Sequence, residues 1–289
     1  MSPRFSITIP AYNAASTLRE TIQSVMDQTF DNWEVVIVDD GSTDGTRSLA
    51  EGLASANPRI RVIAQENRGS GGAYNTAVRN AHADLLVMLS ADDLLLPTHL
   101  EVFNASIEQH PEASVFTSDG FYLYDDGRRE RAHPETGWAT PSGCTLAELL
   151  SACFYGVGAT YRRDVFAAVD GFRENIYAED YLFWLQALAA GFTHRYIAQP
   201  LAVHRRNATQ KSADAIRMRE TDMRVVETLV ATGVLSGAES TAARLSIARL
   251  HRNIRIRKIG SRLLGPATFE RLVDTRRARR RPQTDGSDR

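Results

Sequence analysis

Short β-branched runs alternate with amphipathic stretches through the first hundred residues. No other feature constrains the fold of this chain so strongly. Residues 5–9, 33–38, 61–64 and 85–89 read as strands, and residues 17–28, 43–56 and 70–83 as helices. In the first helix Leu18, Ile22, Val25 and Met26 fall at i, i+4, i+7 and i+8, and Thr17 with Glu20 has the spacing of a capping box. The strands are apolar on both faces, as a sheet covered by helices on both sides requires. The pattern predicts an α/β fold with a mostly parallel, doubly wound sheet.

Beyond residue 100 the signals are mixed. A helix is expected near Pro97, a strand over 113–118, a hairpin around Asp125-Asp126-Gly127 and a helix over 146–152. Residues 160–169 lead through Asp170-Gly171-Phe172 to a helix over 179–190, which Gly191 ends. From residue 213 the pattern is helical and arginine-rich. The expected division is one α/β domain over 1–212 (halves 1–100 and 101–212), a basic helical extension over 213–275 and a disordered tail over 276–289.

Charge follows that division. The net charge is −1, but residues 1–213 carry −9 and residues 214–289 carry +8. With 43% hydrophobic and 24% charged residues, the chain is neither disordered nor collagen-like. Its two cysteines, Cys144 and Cys153, make no disulfide framework or four-ligand zinc site and read as reduced thiols. No run approaches the roughly 18 apolar residues of a membrane span. The N-terminus enters a strand at once without the apolar region of a signal peptide, so a cytoplasmic location is expected.

In an open parallel sheet, ligands bind beyond the carboxyl ends of the strands. This chain places Pro10-Ala11-Tyr12-Asn13 there after the first strand, Asp39-Asp40 after the second and Asp92-Asp93 after the fourth. Each acidic pair also suits a turn or a helix cap. Together they bring an aromatic ring and two carboxylate pairs to one crevice. There is no Gly-x-Gly-x-x-Gly fingerprint and no Walker loop, so carboxylates would hold a diphosphate through Mg²⁺ or Mn²⁺.

The chain resembles glycosyltransferase family 2, inverting enzymes of GT-A fold that use nucleotide-diphosphate sugars. The matching segments, in the family's order over residues 5 to about 210, include Ile7-Thr-Ile-Pro-Ala-Tyr-Asn13, Val35-Val-Ile-Val-Asp-Asp-Gly-Ser-Thr-Asp44 and Glu66-Asn-Arg-Gly69. Leu89-Ser-Ala-Asp-Asp93, Asp170-Gly-Phe172 and Ala178-Glu-Asp-Tyr181 continue the series. The resemblance implies a catalytic domain in 1–212. Within it, Pro10, Ala11, Tyr12, Asp39 and Asp40 hold the nucleobase end of the donor, and Arg68 contacts base or phosphate. Ala91 and Asp92 end the metal motif, with Asp92 a ligand of the cation and Ser90 standing where the motif begins with aspartate. Asp180 matches the catalytic base. Glu179, Trp184 and Tyr155 fall on the acceptor side, although Trp184 also has the spacing of a core residue. Arg205 is expected on the diphosphate and His204 at the metal, while Asn207 stands where some relatives carry histidine.

The implied function is transfer of a sugar, expected from a UDP-sugar, to a hydroxyl of a glycan or lipid-linked acceptor, as in polysaccharide synthesis. A nucleotidyltransferase is the alternative in another enzyme class, and it lacks its glycine- and arginine-rich phosphate loop here. A sugar-nucleotide-binding protein without turnover is the other. Residues 246–281 combine apolar and arginine positions that suit an anionic membrane surface or a solvated helix. No motif or aromatic interleaving points to nucleic acid.

Overall fold

The computed structural model describes residues 2–132, 143–151, 156–174, 176–206, 214–265 and 268–269. Strands β1 (Phe5–Ala11), β2 (Trp33–Asp39), β3 (Ile60–Ala64) and β4 (Leu85–Met88) pair in parallel in the order β3-β2-β1-β4. Helices α1 (Leu18–Met26), α2 (Thr46–Ala56) and α3 (Gly69–Asn80) connect them. The chain winds outward from β1 to β3 and then returns to β1's other edge as β4. That reversal opens a crevice at the carboxyl ends of β1 and β4. β1 and β2 run further than expected, so Ala11 and Asp39 are strand residues held in register with each other.

β2 shows why the sheet is covered on both sides. Val36 and Val38 enter a core that includes Tyr74 and Ala77 of α3, while Val35 and Ile37 enter a second core with Leu18 and Ile22 of α1. The polar positions of β1 are satisfied internally. Ser6 donates to Glu34 Oε1 at 2.6 Å, and Thr8 donates to the Val87 carbonyl at 3.0 Å.

The rest of the sheet is mixed. It adds β5 (Leu94–Leu95), β6 (Val115–Tyr124), β7 (Arg129–Arg131), β8 (Thr160–Arg162) and β9 (His194–Arg206), continuing as β4-β8-β6-β9-β5 with β7 on β6. β8 is antiparallel to β4 and β6, whereas β6 and β9 are parallel. Helices α4 (His99–Gln109), α5 (Leu146–Ser151), α6 (Arg163–Ala168) and α7 (Glu179–Ala189) cover it. The expected parallel sheet therefore describes β1 to β4, and the later strands make it mixed.

Two helices follow, α8 (Ala215–Ala231) and α9 (Gly237–Leu264). Val225, Val226 and Leu229 of α8 and Ala243 of α9 share a core with Leu182 and Phe183 of α7. α9 opens with a capping box formed by Ser236 and Glu239. No helix of the described residues is long and apolar enough to cross a membrane. The expected tail over 276–289 and Cys153 lie outside the described residues.

The capping box expected at Thr17 does not form. The Thr17 hydroxyl instead donates to the Ala91 carbonyl at 2.9 Å, and Thr21, one turn on, donates to the same oxygen at 3.0 Å. Glu20 pairs with Arg205. Tertiary partners outcompete the local cap, and they tie the turn after β4 to α1.

Candidate active site

A cavity of about 1730 Å³ opens where β1 and β4 end. Its floor begins with Pro10, Ala11 and Tyr12. Asn13 adopts a left-handed conformation, φ 51°, that turns the chain sharply after β1. Its side-chain oxygen accepts the Thr43 N–H at 2.9 Å, and its own N–H donates to Ser42 Oγ at 3.0 Å. Tyr12 is left 53% exposed. An aromatic ring so displayed at a crevice offers a stacking face.

Asp39 and Asp40 are both buried. Asp40 lines the cavity and accepts from Gln65 Nε2 at 2.7 Å and the Arg68 N–H at 2.9 Å. Asp39 accepts the Ser42 N–H at 3.3 Å and is not part of the lining. Gly41 is required between them and the loop after β3: its φ is +75°, and a Cβ there would lie 3.0 Å from the Asn67 nitrogen. Arg68 was expected on base or phosphate. Its guanidinium instead pairs with Glu174 and is absent from the lining, because the N-terminus of α3 brings it against that loop.

The turn after β4 is fixed from two sides. α1 holds the Ala91 carbonyl as described, and Asp93, 1% exposed, accepts the Arg205 N–H at 3.0 Å. The same carboxylate lies 3.3 Å from Nδ1 of His204. A carboxylate only accepts, so Nδ1 is the donor in this contact. Asp92 and His204 both line the cavity. Arg205, next along β9, points elsewhere: its guanidinium pairs with Glu20 and is not in the lining, since neighbouring strand residues face opposite ways. Its expected place on the diphosphate is not what the fold provides.

The opposite wall is the start of α7. Asn75 of α3 clamps the preceding loop, donating to the Phe172 carbonyl at 2.8 Å and accepting the Phe172 N–H at 2.8 Å. α3 can approach because it opens with glycine; a Cβ on Gly71 would lie 2.6 Å from the Arg173 carbonyl oxygen. Glu179 is buried, lines the cavity and accepts the Ser70 hydroxyl. Asp180 lines it too, with Oδ1 accepting the Tyr181 N–H at 2.8 Å. Both carboxylates lie in the first turn, where the helix dipole favours negative charge. Trp184 is not on the acceptor side. It is 2% exposed, with edge contacts to Tyr161 at 5.6 Å and Phe183 at 4.9 Å, because the middle of α7 is apolar all round and enters the core. Tyr155 and Asn207 lie outside the described residues.

Two contributors escaped the sequence reading. Tyr74 reaches the cavity from α3, and Ser90 also lines it. Burial, with the carboxylates of Glu179, Asp180 and Asp93, pushes the Tyr74 phenol well above the ordinary value, so it stays protonated. The second is α8, which closes the side of the cavity with Arg217, Glu220, Thr221 and Arg224. The i, i+7 spacing of its arginines was a visible signal, but nothing local said which way it faced.

Among the described residues, no three His, Cys, Asp or Glu side chains form a complete metal cage. Asp92 and His204, whose imidazole contacts Asp93, both line the cavity and are side chains of types that can hold a divalent cation beside phosphate oxygens and water.

The family model described as Glycosyl transferase family 2 matches residues 6–170. An uncharacterised glycosyltransferase of Rickettsia typhi is 30% identical over 195 residues, which are 65% of this chain and 59% of that protein. Chondroitin synthase of Escherichia coli is 41% identical over 100 residues, 35% of this chain but 15% of the synthase. The chain thus spans well under two thirds of either relative. Among solved structures, S. aureus TarS 1-349 in complex with UDP-GlcNAc superposes with a TM-score of 0.69 at 22% identity, covering 86% of this chain and 71% of that one. The mannosyltransferase PcManGT from Pyrobaculum calidifontis, in complex with GDP-Man and Mn²⁺, gives 0.62 at 20% identity over 96% of this chain and 80% of that one. Both likenesses concern the fold.

Proposed function

Because the chain belongs to glycosyl transferase family 2, we propose that it transfers a sugar from a nucleoside-diphosphate donor, a UDP-sugar, to a hydroxyl of a glycan or lipid-linked acceptor, with inversion. The observation that carries this reading is that Asp92, at the end of β4, and Asp180, at the start of α7, line one crevice with Tyr12 displayed beside them. Tyr12 stacks on the base, and Asp40 presents its carboxylate to the base's polar edge, while Asp39, outside the lining, shapes the turn through Ser42. Asp92 and Nε2 of His204 hold a divalent cation, Mn²⁺ or Mg²⁺, against the diphosphate. A cation held there would supply charge compensation for the departing phosphate. Asp180 takes the proton of the acceptor hydroxyl as its oxygen bonds to the anomeric carbon. The bond from that carbon to the diphosphate oxygen breaks in the same step, and the nucleoside diphosphate leaves. Direct displacement inverts the anomeric centre.

The test is calorimetric binding of UDP, GDP and dTDP, each with Mn²⁺, Mg²⁺ or EDTA, to the wild type and to Asp92→Ala. Metal-dependent binding of UDP, lost in Asp92→Ala, is expected. Binding indifferent to EDTA would overturn the role of Asp92, and no binding of any nucleotide would overturn the whole reading. Product formation then separates a transferase from a protein that only binds the donor.

The acceptor is reached at the cytoplasmic face of an anionic membrane, with the basic helices as the contact. α9 leaves Leu245, Ile256, Ile259 and Leu263 exposed along one stripe, with Arg252 at the same helical phase and Arg255 and Arg262 beside it. Its opposite side, with Leu250 and Ile254, is buried. The helix carries seven basic residues against one acidic, so two copies would repel face to face while anionic lipid would attract. An apolar stripe flanked by arginine is the pattern of a helix lying in a bilayer interface. Flotation with anionic liposomes should carry the wild type upward, and Ile256→Ser with Ile259→Ser should leave it at the bottom. If the wild type also stays at the bottom, this part of the reading fails.

A further inference from the structure

The crevice is acidic on one side and basic on the other. Asp40, Asp92, Asp93, Glu179 and Asp180 line it from the sheet and α7, whereas α8 turns Arg217 and Arg224 into it. Seven residues apart, the two arginines share one helix face about 10 Å along the axis. The acidic groups of α8 that line the same side are already engaged. Asp214 caps the helix, accepting the Ile216 and Arg217 N–H groups at 3.0 Å each, and Glu220 pairs with Lys258 of α9 at 2.7 Å. Neither guanidinium has a carboxylate at ion-pair distance among the described residues; Arg217 instead lies over the ring of Tyr177, 4.3 Å from its centroid. Tyr177 is three residues before Asp180. Arg217 therefore stands close to the segment that leads into Asp180, and Arg224 follows it along the same helix face.

We infer that Arg217 and Arg224 form an anion subsite for the acceptor, which carries phosphate or carboxylate groups beside the hydroxyl that receives the sugar. The assignment of this ligand as acceptor rests on the proposed transferase reading; the anion binding does not. On that reading the donor's own phosphates would lie toward Asp92, which would leave the α8 arginines for a second oxyanion. A guanidinium matches phosphate and carboxylate alike, by paired N–H donors. The spacing of the two suits repeated charges along a chain better than one isolated ion.

The experiment is calorimetry on full-length protein saturated with UDP and Mg²⁺, at low salt. The probes are a glycerol-phosphate hexamer, a hyaluronan hexasaccharide and neutral maltohexaose. One of the two charged oligomers should bind, identifying phosphate or carboxylate as the group recognised, and maltohexaose should not. In the Arg217→Gln/Arg224→Gln double variant its affinity should fall at least tenfold, with UDP affinity changed less than twofold. An Arg252→Gln/Arg255→Gln variant of α9 controls for diffuse attraction and should match the wild type. Both arginine pairs are on exposed surfaces, and circular dichroism checks that the variants fold. The inference is overturned if neither charged oligomer binds, if binding survives the α8 substitutions, if it is lost equally in the α9 variant, or if UDP affinity falls with it. Failure of the wild type to bind UDP at the outset would count against the donor site and is seen before any oligomer is added.

Discussion

The two halves of the sheet bring carboxylates to the crevice by different means. In the parallel half Asp40 follows β2 directly, locked by the Arg68 N–H and the Gln65 side chain, and Asp93, in the turn after β4, is tied to Arg205 and His204 of β9. In the mixed half Glu179 and Asp180 open a helix whose position depends on side chains of α3, namely Asn75, Ser70 and the space above Gly71. The first arrangement is set by the strands themselves, the second by an interface. Under the proposed function, a site divided this way would separate holding the donor from doing the chemistry.

The strongest way to break that comparison is to remove one function from each half. Asp180→Asn should lower turnover about 10²- to 10⁴-fold, the range for a lost general base, and leave metal-dependent UDP affinity within twofold. Loss of UDP binding in that variant would show that the halves are not separate. Next in size is Asp93→Ala. It frees the His204 ring and strands the Arg205 N–H, so metal-dependent UDP affinity should fall about 10- to 100-fold, as when a group behind a metal-binding histidine is lost. Calorimetry on the two variants gives the contrast directly.

Acid should distinguish the halves as well. The fully buried histidines lie in the mixed half: burial pushes His99 of α4 down to about 4 and His194 of β9 down to about 3. Burial keeps each ring neutral; His99 Nδ1 lies 3.0 Å from the Leu201 carbonyl, and His194 sits between Thr117 and the Cys144 N–H. The unfolded chain takes up these protons near the ordinary value of about 6.5. Between there and the folded values the unfolded state binds more protons, so this contribution to stability is complete above about 6.5 and is lost as pH falls toward 4 and then 3. Urea unfolding at pH 7, 6 and 5 should show a steady decline, and hydrogen exchange at pH 5 should rise first in β6 and β9. Equal loss of protection in β1 and β2 would contradict the difference between halves.

Gly71 tests the seam between them. A Cβ there meets the Arg173 backbone oxygen at 2.6 Å, which no side-chain movement relieves. Gly71→Ala should cost about 1–3 kcal/mol, as overpacking does, at about 2–4 °C of melting temperature per kcal/mol. Thermal unfolding reads the shift. Because the clash displaces the loop before α7, turnover should fall further than UDP affinity.

The same division governs what the sequence disclosed. The strand ends were legible because an apolar run closed by Asp-Asp-Gly or Pro-Ala-Tyr states both its structure and its place at the crevice. Helix α7 was legible as an element, and the spacing that offers Trp184 a core position agrees with its burial, whereas the acceptor-side assignment does not. Arg68 and Arg205 were placed by motif order, but their guanidinium groups answer to Glu174 and Glu20, partners 106 and 185 residues distant. Tyr74 and α8 were missed for the same reason. Their roles arise where helices pack, and no short window of sequence contains both sides of a packing interface.

Tyr12 sets the smallest effect and the finest test of the donor side. Its ring is displayed by the Asn13 turn and makes little contact with the core, so removing it should cost the protein almost no stability. The lost stacking, about 0.5–1.5 kcal/mol, corresponds to about a two- to tenfold weaker UDP affinity. Tyr12→Ala should show that loss, and Tyr12→Phe should restore it, because the aromatic face and not the hydroxyl does the holding. Equal weakening in both variants would mean that the phenol hydrogen-bonds the nucleotide instead. The rigid half of the site would then read its ligand through a polar contact at a position where the fold provides an exposed ring.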